Sequence, residues 1–533
     1  MTPPPTVPND APADTNSGWE ETLRALYADR RRALVWGIAT LAASVALVMT
    51  LRAYGRSMRG YVRGERTLEG EPAYTPEHEV SDEALAAIDF ERVHSRLMPA
   101  WTIALASATS PYWTRQADAR FEDLAAAVGA DPNLQDLLRR THQDLRDDPV
   151  ENAHRLDYRL WAYNEYLDQR DIPWRVEAAL VLGRQRAIFH TLSYEVMADA
   201  ETEEGHRVRL LRRADRTNSL EGWLGKTGRD DEGAMVLLRR VLHFTVRHVW
   251  PGLHPALDGR RPLAERSWLA PMRREVSDQL DPDTMRLLAE TAVDQQALIE
   301  TAAAVEARAL CGSRFTFHGL PYNGLSPRSV HALYRALARS RDNTECPEVT
   351  VDEAARVIGA SERLASTPGL EDAIERLAMV VARAIAVHEL RHVADGDELA
   401  CPGCPEGLDG LARDEVSAYL TAFSDPYTGY LSLLQACSRP PSPTLHGEAL
   451  GAVLEALLPL GCEGPPHPMM KSYAQMLEGE LFGERPRVQV PTLPDRVALL
   501  PRARRSSGPR PEIALEQGPP RSTASMWETP LAP

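Results

Sequence analysis

A long run with helical periodicity, residues 367–396, constrains the fold of this chain more than any other segment. Thr367 followed by Pro368 favours a helix N-terminus, and Gly396 favours a helix end. One stripe of this helix is formed by Leu377, Val381, Ala384, Ile385, His388 and His392. The charged Glu389, Arg376 and Arg383 fall off that stripe. We therefore expect the stripe, with its two histidines, to point into the fold.

The stripe ends in His388-Glu389-Leu390-Arg391-His392, which matches the pattern H-E-x-x-H. Histidines at i and i+4 lie one turn apart on one helix face, where both imidazoles can reach one Zn²⁺. The intervening Glu389 can then act as a general base toward water. The alternative is a pair of core histidines that are hydrogen-bonded to carbonyl groups. The glutamate between the two histidines favours the zinc site.

A catalytic zinc site needs a third protein ligand. Residues 408–423 read as a second helix, on which one face carries Leu411, Glu415, Ala418, Tyr419 and Ala422. A carboxylate on that apolar face requires a cation, so Glu415 is the predicted third ligand. An ion pair with a buried arginine would also satisfy it. Asp414 falls on the opposite side, where we expect water to solvate it.

These residues resemble the gluzincin metallopeptidases, the thermolysin-like clan, over about residues 367–423. The resemblance rests on the H-E-x-x-H motif and on Glu415 in an E-x-x-A-Y context on the next helix. It implies that His388, His392 and Glu415 bind zinc and that Glu389 is the general base. It also implies hydrolysis of a peptide or protein substrate.

The sequence leaves open the role of Asp395 and the identity of the residue that would stabilise an oxyanion. Asp395 lies one turn beyond His392 and either orients its imidazole or simply ends the helix. The residue that would stabilise an oxyanion has four candidates: Tyr419, Tyr427, Tyr430 and His446.

Residues 33–51 form a run of 19 residues without a charge, which is long enough to span a bilayer. Arg30, Arg31 and Arg32 precede it and Arg52 follows it. We predict a single transmembrane helix, because no small-residue cleavage site follows the run. The flanking arginines are too evenly distributed to predict its orientation.

The six cysteines indicate the compartment. All of them lie in the C-terminal half of the chain, and an even number there favours disulfides in an oxidising compartment, so we expect a periplasmic C-terminal part. Pairing sequence neighbours gives Cys311–Cys346, Cys401–Cys404 and Cys437–Cys462, although six cysteines allow about 15 arrangements. Free thiols or a redox-active C-x-x-C are the alternatives.

The predicted fold is mainly α-helical with a small antiparallel β-sheet, an α+β class with one N-terminal transmembrane helix. Alternating apolar residues predict the sheet at about residues 174–213, and helices are expected to resume at about residue 232. The predicted organisation is a disordered segment at 1–32, the membrane helix at 33–51, a linker at 52–81, a helical domain with the sheet at 82–310, a metallopeptidase-like domain at 311–484 and a disordered Pro- and Arg-rich tail at 485–533.

The net charge and the motifs of the chain argue against nucleic-acid binding and nucleotide binding. The net charge of −16 argues against nucleic acid as a partner. Gly225-Lys226-Thr227 resembles the end of a phosphate-binding loop, but Leu220 stands where its first glycine is required, so no nucleotide site is expected. Two hypotheses are left: a membrane-anchored zinc metallopeptidase, or a non-enzymatic envelope protein whose H-E-x-x-H site is structural or silent. Glu389 favours the enzyme, because a structural site has no use for an acid there.

Overall fold

The computed structural model describes residues 74–500, apart from short internal gaps. The gaps are residues 107–110, 148–152, 183–186, 216–223, 228–232, 256–262, 309–314, 316–324, 326, 343–344, 397–398, 405–409, 439–444, 459–460 and 464. The predicted membrane helix at 33–51 and most of the Pro- and Arg-rich tail lie outside the described residues. Among the residues that are described, no helix combines the length and apolar character needed to cross a membrane.

The described chain is mainly helical, as predicted. In chain order its α-helices are α1 Asp82–Ala86, α2 Phe90–Arg92, α3 Met98–Ala106, α4 Pro111–Ala127, α5 Pro132–Asp147, α6 Ala153–Gln169, α7 Leu238–Phe244, α8 Leu263–Ser277, α9 Pro282–Ala307, α10 Pro327–Asp342, α11 Val351–Ser366, α12 Leu370–Asp395, α13 Gly410–Ser424, α14 Gly429–Cys437, α15 Leu445–Leu457 and α16 Met470–Phe482. π-Helical turns at Val93–Leu97 and Thr245–Val249 and 3₁₀ turns at Trp250–Leu253 and Gly461–Glu463 complete the helical structure.

Several helices begin where local side-chain chemistry satisfies their first amide groups. Asp281 caps α9 by accepting a hydrogen bond from the amide of Thr284, and Pro282 occupies the first helical position. Thr350 and Glu353 form a capping box at the start of α11. Both starts are readable from the sequence, because the caps involve neighbouring residues only.

The sheet is mixed rather than antiparallel. Its strands are β1 Trp174–Leu182, β2 Ala187–Glu201, β3 Arg207–Arg213, β4 Gly225–Thr227 and β5 Ala234–Leu237, in the order β1-β2-β3-β5-β4. The β1–β2, β2–β3 and β4–β5 pairs are antiparallel, whereas β3 and β5 run parallel. The sequence prediction was wrong on this last pair because β5, four apolar residues at the start of an expected helix, gives no periodicity that identifies a strand.

Two large apolar cores lie in the described residues. The first packs α3–α6 around Trp101, Phe121, Tyr163 and Trp174, and we call it the N-terminal core. The second, the C-terminal core, extends from Val208 of β3 to Leu500 and includes α12 and α13. The C-terminal core thus contains residues from both sides of the predicted boundary between residues 310 and 311.

Helix α12 lies in the middle of the C-terminal core. It packs against α7, α9, α13, α14, β4 and β5, and most of its residues are buried. The helix begins two residues later than predicted, at Leu370 instead of Pro368, because Thr367 ends α11 and Gly369 caps α12. Gly369 has a φ of 76°, a left-handed conformation that favours glycine. Thr367, the predicted N-cap of this helix, instead forms the C-cap of α11.

Residues 483–500, which we call the C-terminal strap, have no helix or strand but pack along α12 and bury Val497 and Leu500. Residues 485–500 belong to the segment that the sequence predicts to be disordered. Two predicted disulfides are present, Cys401–Cys404 and Cys437–Cys462. Cys346 is also disulfide-bonded, and Cys311 lies outside the described residues.

Candidate metal centre

The three predicted zinc ligands converge. His388 and His392 project from the C-terminal part of α12, and Glu415 projects from the first half of α13, which packs beside it. The Nε2 atoms of the two histidines are 3.2 Å apart. Glu415 Oε2 lies 3.6 Å from Nε2 of His388 and 3.8 Å from Nε2 of His392. One ligand atom from each residue lies within 4.8 Å of the other two, so the group can hold one metal ion.

The separations of these atoms fit a zinc ion. Tetrahedral Zn²⁺ with bonds of about 2.0–2.1 Å places its ligand atoms about 3.3–3.4 Å apart. The histidine nitrogens match that separation, and the carboxylate oxygen lies a few tenths of an ångström farther out. Two imidazoles and one carboxylate are also the donor set of catalytic zinc sites that keep a position for water.

Glu389 is buried beside this group, which corrects its predicted position off the buried stripe. Only 6% of the residue is exposed, because β4 covers α12 at this point. A Cβ atom on Gly225 would lie 2.5 Å from Ile385 and 2.6 Å from Cγ of Glu389, so only glycine permits the close approach. The Thr227 hydroxyl donates to the Glu389 carboxylate at 3.3 Å.

The environment of Glu389 raises its pKa above the ordinary value. Burial is the main cause, and the negative charge of Glu415 adds to it. The two histidines and the hydrogen bond from Thr227 oppose the shift. A carboxylate held in this way is closer to the proton affinity that a general base needs near neutral pH.

The other ring nitrogen of His392 faces a carboxylate. Its Nδ1 lies 2.9 Å from Oδ1 of Asp414. Burial alone would lower the pKa of His392, but Asp414, Glu389 and Glu415 outweigh burial and raise that pKa to about 9. Without a metal ion the ring is therefore in its positively charged imidazolium form at neutral pH. A metal ion that binds Nε2 would have to replace the proton on that nitrogen.

Asp414, and not Asp395, contacts His392. Asp414 was expected in solvent, but it contacts His392, because α13 is packed on more than one side, by α12, α15 and α16. Asp395 was expected either to orient His392 or to end the helix. It is the last residue of α12, and its carboxylate contacts Arg391, Arg485 and Ser417 instead of His392.

One of the four residues considered for oxyanion stabilisation packs on a predicted metal ligand, His388. The ring of Tyr419 lies 4.7 Å from the ring of His388, centroid to centroid. The guanidinium of Arg383 lies over the Tyr427 ring, and the ammonium of Lys471 lies over the Tyr430 ring. The side chain of His446 lies outside the described residues.

Thr227 and Gly225 were not predicted to lie at this site, because in the sequence they resemble only an incomplete phosphate-binding loop. Thr227 and Glu389 are 162 positions apart in the sequence, so no local pattern could reveal their contact. Asp414 was missed for a different reason, since a single apolar face was assumed for α13.

Comparison of the chain with known proteins finds no matching family model, no similar curated protein and no similar solved structure.

Proposed function

We propose that this protein is a membrane-anchored, zinc-dependent metallopeptidase of the gluzincin type. The observation that carries the proposal is the convergence of His388, His392 and Glu415 on one point, with Glu389 buried next to them. The spacing of the three ligand atoms suits zinc, and the acid beside them suits a general base.

In the proposed reaction each side chain has a separate task. His388, His392 and Glu415 would hold the ion, and Asp414, whose carboxylate lies 2.9 Å from Nδ1 of His392, would keep Nε2 of that ring directed at it. Zinc supplies Lewis acidity, which lowers the pKa of water and polarises a carbonyl oxygen. Glu389 accepts the proton of the attacking water and delivers it to the leaving amine. Thr227 orients the carboxylate of Glu389 during both transfers.

The position of β4 supports a peptide as the substrate. Within the part of the chain that the structure describes, β4 pairs with β5 alone and forms one edge of the sheet. Extended peptides bind such edges by adding a strand through main-chain hydrogen bonds. Because Thr227 of β4 contacts Glu389, a peptide bound at this edge would lie next to the general base.

The alternative function for the same site is non-enzymatic. The side chains of His388 and His392 are only 14% and 10% exposed, and such burial suits a structural metal site in an envelope protein. The two functions differ in what Glu389 does, so a change of this residue separates them.

For the cellular location we propose a single-pass membrane protein with its C-terminal part in the periplasm. Residues 33–51 would form the anchor. The Cys401–Cys404 and Cys437–Cys462 disulfides support an oxidising compartment for that part of the chain. Accessibility of a reporter fused after Pro533 tests the orientation.

The decisive experiment replaces Glu389 by Gln in the full chain, purified in detergent and loaded with zinc. Glu389→Gln keeps the size of the side chain and all three ligands, so zinc binding should persist. Hydrolysis of a mixed peptide library should fall about 10²–10⁴-fold, because the general base is lost. Glu371→Gln, in the first turn of the same helix, is the matched control and should retain activity. Chelator-sensitive activity that is unchanged in Glu389→Gln would refute the proposal, and a zinc-loaded wild type without hydrolysis would favour the structural site.

A further inference from the structure

The C-terminal strap runs antiparallel to α12 and is anchored at both of its ends. Near its end, the amides of Leu499 and Leu500 donate to Glu375 at 2.6 and 2.8 Å. Near its start, the carbonyl of Pro486 accepts from Arg391 at 3.1 Å. The start of the strap therefore lies against the turn of α12 that carries His392.

Arg485 of the strap joins three helices. Its Nη1 donates to Asp395 of α12 at 2.9 Å and to Ser417 of α13 at 2.8 Å. Its Nη2 donates to Glu478 of α16 at 2.8 Å. Ser417 in turn donates to Asp395. A planar guanidinium suits such a junction, because its donors point in fixed directions that a flexible ammonium does not reproduce.

The junction is centred on a buried carboxylate and is balanced in charge. The Asp395 side chain is 1% exposed, Arg391 is buried beside it, and the Arg485 side chain is 12% exposed. Two arginines face the two carboxylates of Asp395 and Glu478. Removal of Arg485 would leave Asp395 with a single cation in a place that water does not reach, and the helices would have to move apart to hydrate it.

This junction lies next to the metal ligands on both helices. Asp395 is three residues beyond His392 on α12, and Ser417 is two residues beyond Glu415 on α13. The distance from Glu415 to the two histidines depends on how far apart α12 and α13 lie, because the ligands belong to different helices. The connection between these helices, residues 396–409, is too long to fix that separation.

We infer that Arg485 is a positioning residue for the metal centre: it fixes the spacing of α12 and α13 so that Glu415 reaches the ion held by His388 and His392. The inference rests on the proposed function only in that a metal ion binds at this site. Peptide hydrolysis is not required for it, so zinc affinity is a sufficient measurement.

The test compares two arginines of the strap in the full-length protein. Arg485→Met removes the junction, while Arg496→Met removes an arginine that contacts Asp372 in the first turn of the same helix. Zinc affinity is measured by competition with a chromophoric chelator, and thermal unfolding is followed in the presence of a chelator. We expect Arg485→Met to weaken zinc binding at least about tenfold, the loss typical of residues that support metal ligands. Arg496→Met should stay within about twofold of the wild type even if it unfolds earlier.

Two milder variants cover the case in which Arg485→Met does not fold. Arg485→Lys keeps the charge but not the three contacts, and Ser417→Ala removes the hydroxyl between Arg485 and Asp395. Both should weaken zinc binding by an intermediate amount. Wild-type zinc affinity in folded Arg485→Met, or in Arg485→Lys and Ser417→Ala, would overturn the inference. Equal weakening by Arg496→Met would also overturn it, since the effect would then be one of general stability. A wild type that takes up no zinc would overturn both this inference and the proposed function.

Discussion

Two buried histidines, His94 in the N-terminal core and His392 in the C-terminal core, show how differently one residue type can be used. His94 is fully buried, stacks on Trp174 at 4.8 Å, and has only neutral hydrogen-bond partners, the carbonyl of Phe90 and the hydroxyl of Tyr163. His392 is almost as buried but faces the carboxylates of Asp414 and Glu415. Burial lowers the pKa of His94 to about 4, whereas the carboxylates raise that of His392 to about 9.

The difference shows that burial alone does not decide whether a histidine is neutral or positively charged. Near His94 the neutral ring is the stable form, and it serves to pack and to hydrogen-bond. Near His392 the surroundings favour a positive charge, which either a proton or a metal ion can supply. The carboxylates, and not the histidine, make the second site suited to a cation.

The largest expected effect is on zinc binding, which should depend on His392 and not on His94. His392→Ala removes one of three ligands and should abolish zinc binding by the full-length protein. His94→Ala should leave zinc binding unchanged but lower the stability by about 3 kcal/mol, the typical cost of emptying an aromatic core position. Metal analysis after dialysis, with thermal unfolding of each variant, measures both. Zinc retained by His392→Ala would show that the site is not the proposed one.

The second comparison concerns the two neighbouring acids on α13. Glu415→Ala should weaken zinc binding more than about 100-fold, because it removes a ligand. Asp414→Ala should weaken it about 10–100-fold, because it removes only the partner of His392 Nδ1. Chelator competition gives both affinities. If Asp414→Ala has the larger effect, Asp414 and not Glu415 completes the donor set.

A third prediction uses the pH dependence of the N-terminal core. Because the pKa of His94 is lower in the folded chain, its neutral form contributes stability that is fully present above about pH 6.5. That stability is lost as the pH falls toward 4, by about 3 kcal/mol in total. Urea unfolding at several pH values should show the loss in the wild type and a reduced loss in His94→Gln. The same pH dependence in both proteins would rule out this histidine as the cause.

The smallest expected effect is the difference in stability between variants that lack one or the other disulfide of the C-terminal core. The Cys437–Cys462 pair spans 25 positions and the Cys401–Cys404 pair only 3. Loop-closure entropy gives about 3.5 kcal/mol for the first pair and about 1.6 kcal/mol for the second. Replacing each pair by serines should therefore destabilise the protein unequally, by a difference of about 2 kcal/mol in denaturant unfolding. A larger loss from the shorter bridge would point to a role for its contacts with Leu481.

Local patterns predicted much of the fold and the centre of the site. The helix around His388 and His392, the inward direction of Glu415 and the first three strands all follow from periodicity. The start of α12 lies two residues after the predicted one, because Gly369 and not Thr367 caps this helix. Strand β5 was also missed, since four apolar residues fit a strand and a helix equally well.

The sequence by itself determined which residues can bind a metal ion, because two histidines one turn apart must share a helix face. It also determined that Glu415 needs a cation, since an acid on an apolar face cannot remain without one. Only the tertiary structure decided that Thr227 reaches Glu389, that Asp414 rather than Asp395 faces His392, and that Arg485 joins the two ligand helices. Those contacts connect segments that are distant in the chain or depend on which sides of a helix are covered. Tertiary packing decides both the distant contacts and which sides of a helix are covered, and local periodicity predicts neither.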